Sequence, residues 1–279
     1  MTIQLNSSEP PLSSLRFHCT TPISCNYLAD RQSASLVAIP PQQVNSRIYG
    51  LLVRYGFRRS GYLTYRPACG DCQACIPVRV PIRKFEPNRS QRRCMKQHGN
   101  LRERELPLLF SEEHYQLYLR YQAKRHPGGG MEVEGPKQYT QYLLQSHVDS
   151  QLIEFRENDE LRMVSIVDVL SDGLSSVYTF FDPDILGAGF GTYGILWQIG
   201  QCLANDLPYL YLGYWIRDCQ KMSYKAHFKP VEGLIEGKWQ EFDAGLPFQV
   251  PCCKTEGEEE RGGSIGVFEE ITLQLNLPT

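Results

Sequence analysis

The stretch "DPDILGAGFGTYGILWQIGQCLANDLPYLYLGYWI", residues 182–216, decides the fold. A glycine-rich loop leads into a segment that sets Ile195, Leu196, Ile199 and Leu203 on one side, the spacing of a helix packed on a core. The strand-like "PYLYLGYWI" (208–216) follows at once. Upstream, "QLIEFRE" (151–157), "LRMVSIVDVL" (161–170) and "LSSVYTFF" (174–181) read as strands, joined by the turn residues Asn158/Asp159 and Asp172/Gly173. Links that short make an antiparallel meander, whereas a strand reached through a helix pairs in parallel. A helix around "KMSYKAHF" (221–228) and a final strand near "GLIEGKWQEF" (233–242) complete an α+β unit with a mixed sheet.

Working outward toward the N-terminus, "PQQVNSRIYGLLVRYGF" (41–57) places Val44, Ile48, Leu51, Leu52 and Tyr55 at helical spacing, with Gly56 as a stop. In "YRPACGDCQACIPVRVPI" (65–82), Ile76, Val78, Val80 and Ile82 alternate with Pro77, Arg79 and Pro81. That pattern predicts a strand with one buried face, confined by its prolines to a sheet edge or an irregular ladder, with Arg79 facing out. In "NRSQRRCMKQHGN" (88–100), Asn88 and Gln91 have the spacing of a capping box, so Arg89, Arg92, Arg93 and Lys96 project from a short basic helix. Residues 111–126 form another helix, opened by Glu112 and Glu113 and closed by Lys124, Arg125 and His126, and a third starts near Gln138.

Of 279 residues, 42% are apolar and 22% charged, the makeup of a globular chain with room for two medium domains. The net charge of −2 hides a polarised distribution. Residues 54–104 carry thirteen Arg and Lys against Asp71, Glu86 and Glu103, whereas the last 29 carry six Glu against Lys254 and Arg261. Without a basic segment and apolar core at the N-terminus, a secretory signal is not expected, and no apolar run approaches the roughly 18 residues of a membrane span. The expected setting is the cytoplasm, with the ten cysteines reduced or metal-bound and no membrane contact. The expected organisation is an extended arm (1–22), a basic cysteine-containing α+β domain (23–106), a catalytic domain (107–245) and an acidic, solvated extension (246–279).

Cys69, Cys72 and Cys75 match the start of an iron–sulfur run but lack its fourth cysteine. Cys25, Cys94 or His98 would have to close a tetrahedral zinc or iron–sulfur site, with Cys25, Cys69, Cys72 and Cys75 as the expected set. The alternative is a set of small residues buried in a Gly/Pro loop. "GFGTYG" (189–194) fits G-x-G-x-x-G poorly as a dinucleotide fingerprint: "DPDIL" precedes it instead of an apolar strand, and Asp206 lies too near to meet a ribose. A glycine turn opening a helix still presents free amides and a positive dipole end to a phosphate, which brings Gly189 and Gly191 into the expected site. Close helix–sheet packing explains the same glycines equally well. Tyr178, Phe180 and Phe181 on one strand, and Tyr209, Tyr211, Tyr214 and Trp215 on another, are core residues of which one face can line a cleft.

The blocks "CNYLADRQ", "GFRRSG", "YRPACGDCQACIPVRV", "NRSQRR", "VDVLSDGLSSVYTFFDPD", "GTYGILWQI", "LPYLYLGYWI" and "KMSYKAHFKP" together give a specific signature. Over roughly residues 15–243 the chain resembles the aminoacyl-tRNA:protein transferases of N-terminal degradation signals, in their bacterial branch. The resemblance implies a cysteine-bearing N-terminal domain and a C-terminal domain with the fold of GCN5-type acetyltransferases. It implies leucyl-tRNA as donor, proteins beginning with Asp or Glu as acceptors, and no cofactor for the transfer itself. For such a reaction Arg58, Arg59, Arg83, Lys84, Arg89, Arg92 and Arg93 are expected phosphate contacts. Asp182 is the expected base or amine anchor, with Tyr178 beside it, and Arg79, Arg217 and Lys225 are expected partners of the acceptor carboxylate. Arginyl transfer, an acetyl-CoA-dependent acetyltransferase and a non-catalytic metal-bearing tRNA-binding module are the alternatives.

Overall fold

A computed structural model describes residues 15–125 and 135–243, with the backbone of 270–271. The chain opens with β1 (Arg16–Cys19), a small hairpin of β2 (Ile23–Ser24) and β3 (Gln32–Ser33), β4 (Ser35–Ile39), helix α1 (Ser46–Arg54), β5 (Arg58–Ser60) and β6 (Leu63–Pro67). There follow β7 (Ile76–Pro81), α2 (Arg89–Gln97), β8 (Arg102–Leu106), α3 (Glu112–Arg125) and α4 (Gly135–Tyr139). The meander is β9 (Ser150–Glu157), β10 (Glu160–Leu170) and β11 (Gly173–Phe181); then come α5 (Phe190–Ala204), β12 (Tyr209–Trp215), α6 (Gln220–Ser223), β13 (Glu232–Ile235) and β14 (Lys238–Glu241). Residues 270–271 form β15.

Two sheets result. β15, β1, β4, β6 and β5 make a five-stranded sheet, and an eight-stranded one runs β14–β13–β7–β12–β11–β10–β9–β8. In the large sheet only β11 and β12 pair in parallel, as the crossover through α5 requires. Helix α5 lies on one face, over a core that includes Leu196, Ile199, Leu210 and Leu212. On the opposite face α3 and the segment after α4 cover Val164, Ile166 and Phe180, and the small sheet with α1 covers Leu170 and Tyr211. Among the described residues, no helix is long and apolar enough to cross a membrane.

Several expectations are corrected. Residues 15–19 are not an extended arm: Leu15 and Phe17 are buried and β1 pairs with β4, while residues 1–14 lie outside the described set. The acidic extension also lies outside it, apart from the backbone of 270–271. β7 is an interior strand, because β13 pairs with it only at Val78 and Arg79, between the two prolines. The single final strand is a hairpin, β13–β14, turning through Glu236 and Gly237 at φ 49° and 76°. Strands β7 and β8 lie in the same sheet as β9–β12, so the boundary expected near residue 106 falls within a continuous ladder.

The two sheets are joined by a buried charge pair. Arg59 of β5 donates from Nε and Nη2 to Asp168 of β10 at 2.8 and 2.6 Å, and from Nη2 to Ser150 Oγ at 3.1 Å. Removing one partner strands the other charge. Arg59→Met is therefore expected to cost about 3–5 kcal/mol in urea unfolding, and adding Asp168→Leu to recover most of it. A single-mutant loss below about 1 kcal/mol, the range of an exposed pair, would contradict the clamp.

Candidate active site

The parallel pairing of β11 with β12 is brief. It covers Gly173–Ser175 against Tyr209–Tyr211, after which the ladder between the two strands ends. A Cβ at Gly173 would lie 2.1 Å from the Tyr209 carbonyl oxygen, so glycine is what lets the strands close at this end. Beyond it, β12 carries an irregularity between Tyr211 and Gly213, and Gly213 adopts φ 78°. A glycine inside an apolar strand marks a bulge or a close approach, and here it marks both. The two strands splay toward their carboxyl ends, where open α/β sheets bind ligands.

Arg58 fills the base of this splay. Its Nη1 donates to Ser175 Oγ at 3.0 Å, its Nη2 donates to the Ser176 carbonyl, and its guanidinium lies under Gly213, whose added Cβ would meet Nε at 3.4 Å. Because successive side chains of a strand point to opposite faces, β5 sends Arg59 to β10 and Arg58 into the gap. Tyr214 of β12 donates to the Gly56 carbonyl at 2.7 Å and fixes the loop before β5.

Lys225 lies beside Arg58, in the turn after α6. Its Nζ donates to the Tyr214 carbonyl and reaches Met222 Sδ at 3.3 Å. Burial, aided by the positive charge of Arg58, pushes its pKa down to about 7. Neighbouring Tyr224 is pushed up to about 12, mainly by burial, and stays protonated. Across the splay, burial raises the Tyr178 phenol well above its ordinary range; Tyr121, Tyr118 and Tyr27 surround it.

The other side of the splay is built by α5 and α2. Gly189 caps α5 in the left-handed region at φ 74°, and a Cβ on Gly191 would meet Phe181 at 3.3 Å. Helix α2 has the expected capping box between Asn88 and Gln91. It docks on the same loop, with Cys94 Sγ 3.5 Å from the Gly189 carbonyl and His98 Nε2 donating to the Ala188 carbonyl at 2.6 Å. Arg89, Arg92, Arg93 and Lys96 are exposed. Helix α2 thus turns Cys94 and His98 to the loop before α5 and presents Arg89, Arg92, Arg93 and Lys96 on its outer face.

Other expected residues do different work. Asp182 accepts from Arg120 at 3.4 Å, Arg162 at 3.3 Å and the Asp184 amide at 3.1 Å, so its carboxylate clamps the turn after β11. Arg79 is buried, bonded to Glu232 at 2.7 Å and centred 3.5 Å over the Tyr209 ring, at the closed end of the β11–β12 pair. Arg59 is the inter-sheet clamp and offers nothing to a phosphate. Arg83 and Lys84 are exposed and paired with Asp206 and Glu241. Arg217 is exposed just past β12. Lys225 is buried and donates its hydrogens to the Tyr214 carbonyl and Met222 Sδ. Sequence reasoning placed Arg58 on the surface; Gly213, an interruption in an apolar strand, was the signal for its real position.

The cysteines do not form the expected metal centre. Cys25, Cys69, Cys72 and Cys75 are free thiols. Among the described residues, no group of three or more His, Cys, Asp or Glu stands close enough to hold an ion. Cys69 Sγ turns instead to the Ala34 carbonyl at 3.7 Å. Burial, then the nearby Cys69, Cys72, Cys25 and Cys219, push Cys75 up to about 12. Cys69, Cys72 and Cys75 serve as small, half-buried packing residues of the loop before β7.

The family description "Arginine-tRNA-protein transferase, N terminus" matches residues 23–93, and "Arginine-tRNA-protein transferase, C terminus" matches 113–235. An aspartate/glutamate leucyltransferase of Thiobacillus denitrificans is 51% identical over 240 residues, spanning 86% of this chain and 100% of that one. Another, from Nitrosospira multiformis, is 54% identical over 84% and 93%. The C-terminal domain of a putative lysylphosphatidylglycerol synthetase from Agrobacterium fabrum is similar at TM-score 0.39 and 10% identity, covering 59% of this chain and 50% of that one, which is too loose to bear on fold or function. Matched in order through both halves, and along the full length of a relative at 51% identity, the chain belongs to the aspartate/glutamate leucyltransferases of the arginine-tRNA-protein transferase family.

Proposed function

We propose that this chain transfers leucine from leucyl-tRNA to the free α-amine of proteins that begin with Asp or Glu, creating a degradation signal. The observation that carries the reading is the splay between β11 and β12, with a buried guanidinium at its base and an exposed cationic helix at its mouth. A pocket for an acidic N-terminal side chain needs a cation held away from water, and Arg58 is one; Arg217 adds charge at the rim. A polyanionic donor needs clustered surface cations, and Arg89, Arg92, Arg93 and Lys96 supply them along the exposed face of α2, which packs on the loop before α5. Arg83 and Lys84, each already paired, contribute less.

Aminolysis of an activated ester needs no covalent enzyme intermediate and no cofactor. The protein's work is to bring amine and carbonyl together and to stabilise the oxyanion. Read this way, β9–β12 with α5 form an acetyltransferase-like unit in which an aminoacyl ester replaces a thioester, and residues 23–106 supply the cation at its base. Tyr178 and Tyr121 form the wall opposite Tyr214 and limit water entry. Charged tRNA as donor implies a cytoplasmic setting.

The test is to incubate the chain with leucyl-, arginyl- and phenylalanyl-tRNA, each separately with peptides beginning with Asp, Glu, Gln or Lys, and follow the labelled amino acid. Leucine is expected on Asp- and Glu-peptides only; arginine transfer, or none, would overturn the reading. Acetyl transfer from acetyl-CoA in place of leucine would do the same. Arg58→Met is expected to lower kcat/KM for Glu-peptide by about 10²-fold or more, the loss of a buried charge-assisted contact of roughly 2–4 kcal/mol, with tRNA affinity unchanged. Replacing Arg89, Arg92 and Arg93 together by Ala is expected to weaken tRNA binding and flatten its log–log salt dependence by about 2–3. An unchanged slope would remove α2 from the interface.

A further inference from the structure

Attack on an ester requires a neutral amine, whereas an N-terminal α-amino group with pKa near 8 is mostly protonated at neutral pH. Asp182 is poorly suited to take that proton, since the guanidinium groups of Arg120 and Arg162 beside it favour the charged carboxylate. Among the groups at the splay, one buried nitrogen has the right chemistry. Lys225 is 7% exposed, and its partners are two acceptors, the Tyr214 carbonyl and Met222 Sδ. A neutral amine has two hydrogens, so those acceptors use both and leave the lone pair free. An ammonium would have a third hydrogen facing, among the described residues, no further acceptor nearer than the Tyr224 ring, whose centre lies 5.9 Å from Nζ.

On the premise that leucyl transfer is the reaction, we propose that Lys225 is its general base: the Nζ lone pair takes the proton that frees the acceptor's α-amine. Lys225 takes one proton from the α-ammonium, and the amine nitrogen attacks the leucyl carbonyl carbon. As the tetrahedral intermediate collapses, the C–O bond to the terminal ribose breaks and the ribose oxygen receives the second proton from that nitrogen. Lys225 then releases its proton to water. The net change is ester plus ammonium to amide, free hydroxyl and one proton.

The surroundings favour this role. The groups facing Lys225 are Arg58 from β5, Cys75 from the turn before β7, Cys219 from the segment before α6, Tyr214 from β12 and adjoining Tyr224. None is a carboxylate. Cys75 and Tyr224 are held protonated, so Arg58 is the dominant charge and it opposes protonation of Lys225. The same guanidinium that attracts an acidic acceptor thereby keeps the base neutral. The lowering of Lys225 to about 7 sets it close to the working pH, where a proton acceptor is most effective.

Single-turnover transfer of leucine to a Glu-peptide should be followed against pH in wild type, Lys225→Met and Lys225→Arg. Both variants are expected to lose about 10²–10⁴-fold in rate, while peptide and tRNA dissociation constants change less than about threefold. Near-wild-type rates in Lys225→Arg would overturn the proposal, because a permanent cation cannot accept a proton. The wild-type rate should fall below pH 7 as Lys225 becomes charged. For a variant with space at the site, Lys225→Ala, added methylamine and less basic primary amines should restore leucyl-peptide formation in proportion to their free-base concentration, more strongly for the more basic amine. Rescue that follows the ammonium form would assign a cationic role and refute the base. Failure of wild type to transfer leucine at all would refute the parent reading; a wild type that transfers beside fully active variants would refute this one alone. Melting temperatures within a few degrees of wild type qualify a variant, and one that fails is replaced by Lys225→Gln.

Discussion

The site depends on three residues of backbone, Arg58–Ser60, placed between two sheets. Arg59 reaches β10 and forms a buried bidentate pair with Asp168, which fixes the small sheet against the large one. That anchoring delivers Arg58 to the gap between β11 and β12, where it bonds Ser175 and Ser176 and lies against Gly213. Neither guanidinium is interchangeable with lysine, because a point charge cannot reproduce the planar fork that satisfies two acceptors at once.

The splay has two chemically different sides. On one, α2 packs on the loop before α5 and carries a row of exposed arginines, a surface suited to phosphates and sensitive to salt. On the other, Arg58 and Lys225 are buried beside Tyr214, with little exposure to water, where a single charge has more effect than on the surface. On the proposed reading, donor and acceptor would approach from these two sides. The packing cost is visible in the glycines: Gly173 permits the strands to touch, and Gly213 permits the guanidinium to sit beneath one of them.

Much of the fold was legible in the sequence because local signals agreed with it. The meander, α5, β12, the capping box of α2 and the charge order of α3 all depend on spacing within one element. What failed depends on partners far apart in sequence. Nothing local tells that a proline-flanked strand lies in a sheet interior, because the prolines are tolerated only where β13 fails to pair. The same limit separates Arg58 and Arg59 from Arg89, Arg92 and Arg93: all five read as surface charge, and burial between sheets is a tertiary fact. Asp182 stood at a strand end, the right place for a catalytic acid, but Arg120 and Arg162, distant in sequence or on the neighbouring strand, occupy it. The triple-cysteine loop kept metal spacing without metal geometry.

The most direct measurement is a crystal structure with a hydrolysis-resistant amide analogue of the leucyl-tRNA 3′ end and a Glu-initiated peptide. The account predicts the leucyl carbonyl between β11 and β12 beyond Ser175 and Tyr211, the terminal phosphates beside α2 and Gly189, and the Glu carboxylate within ionic reach of Arg58. An analogue seated elsewhere, such as the hollow lined by Arg104, Phe110, His114 and Arg156, with the splay still closed around Arg58, would contradict it.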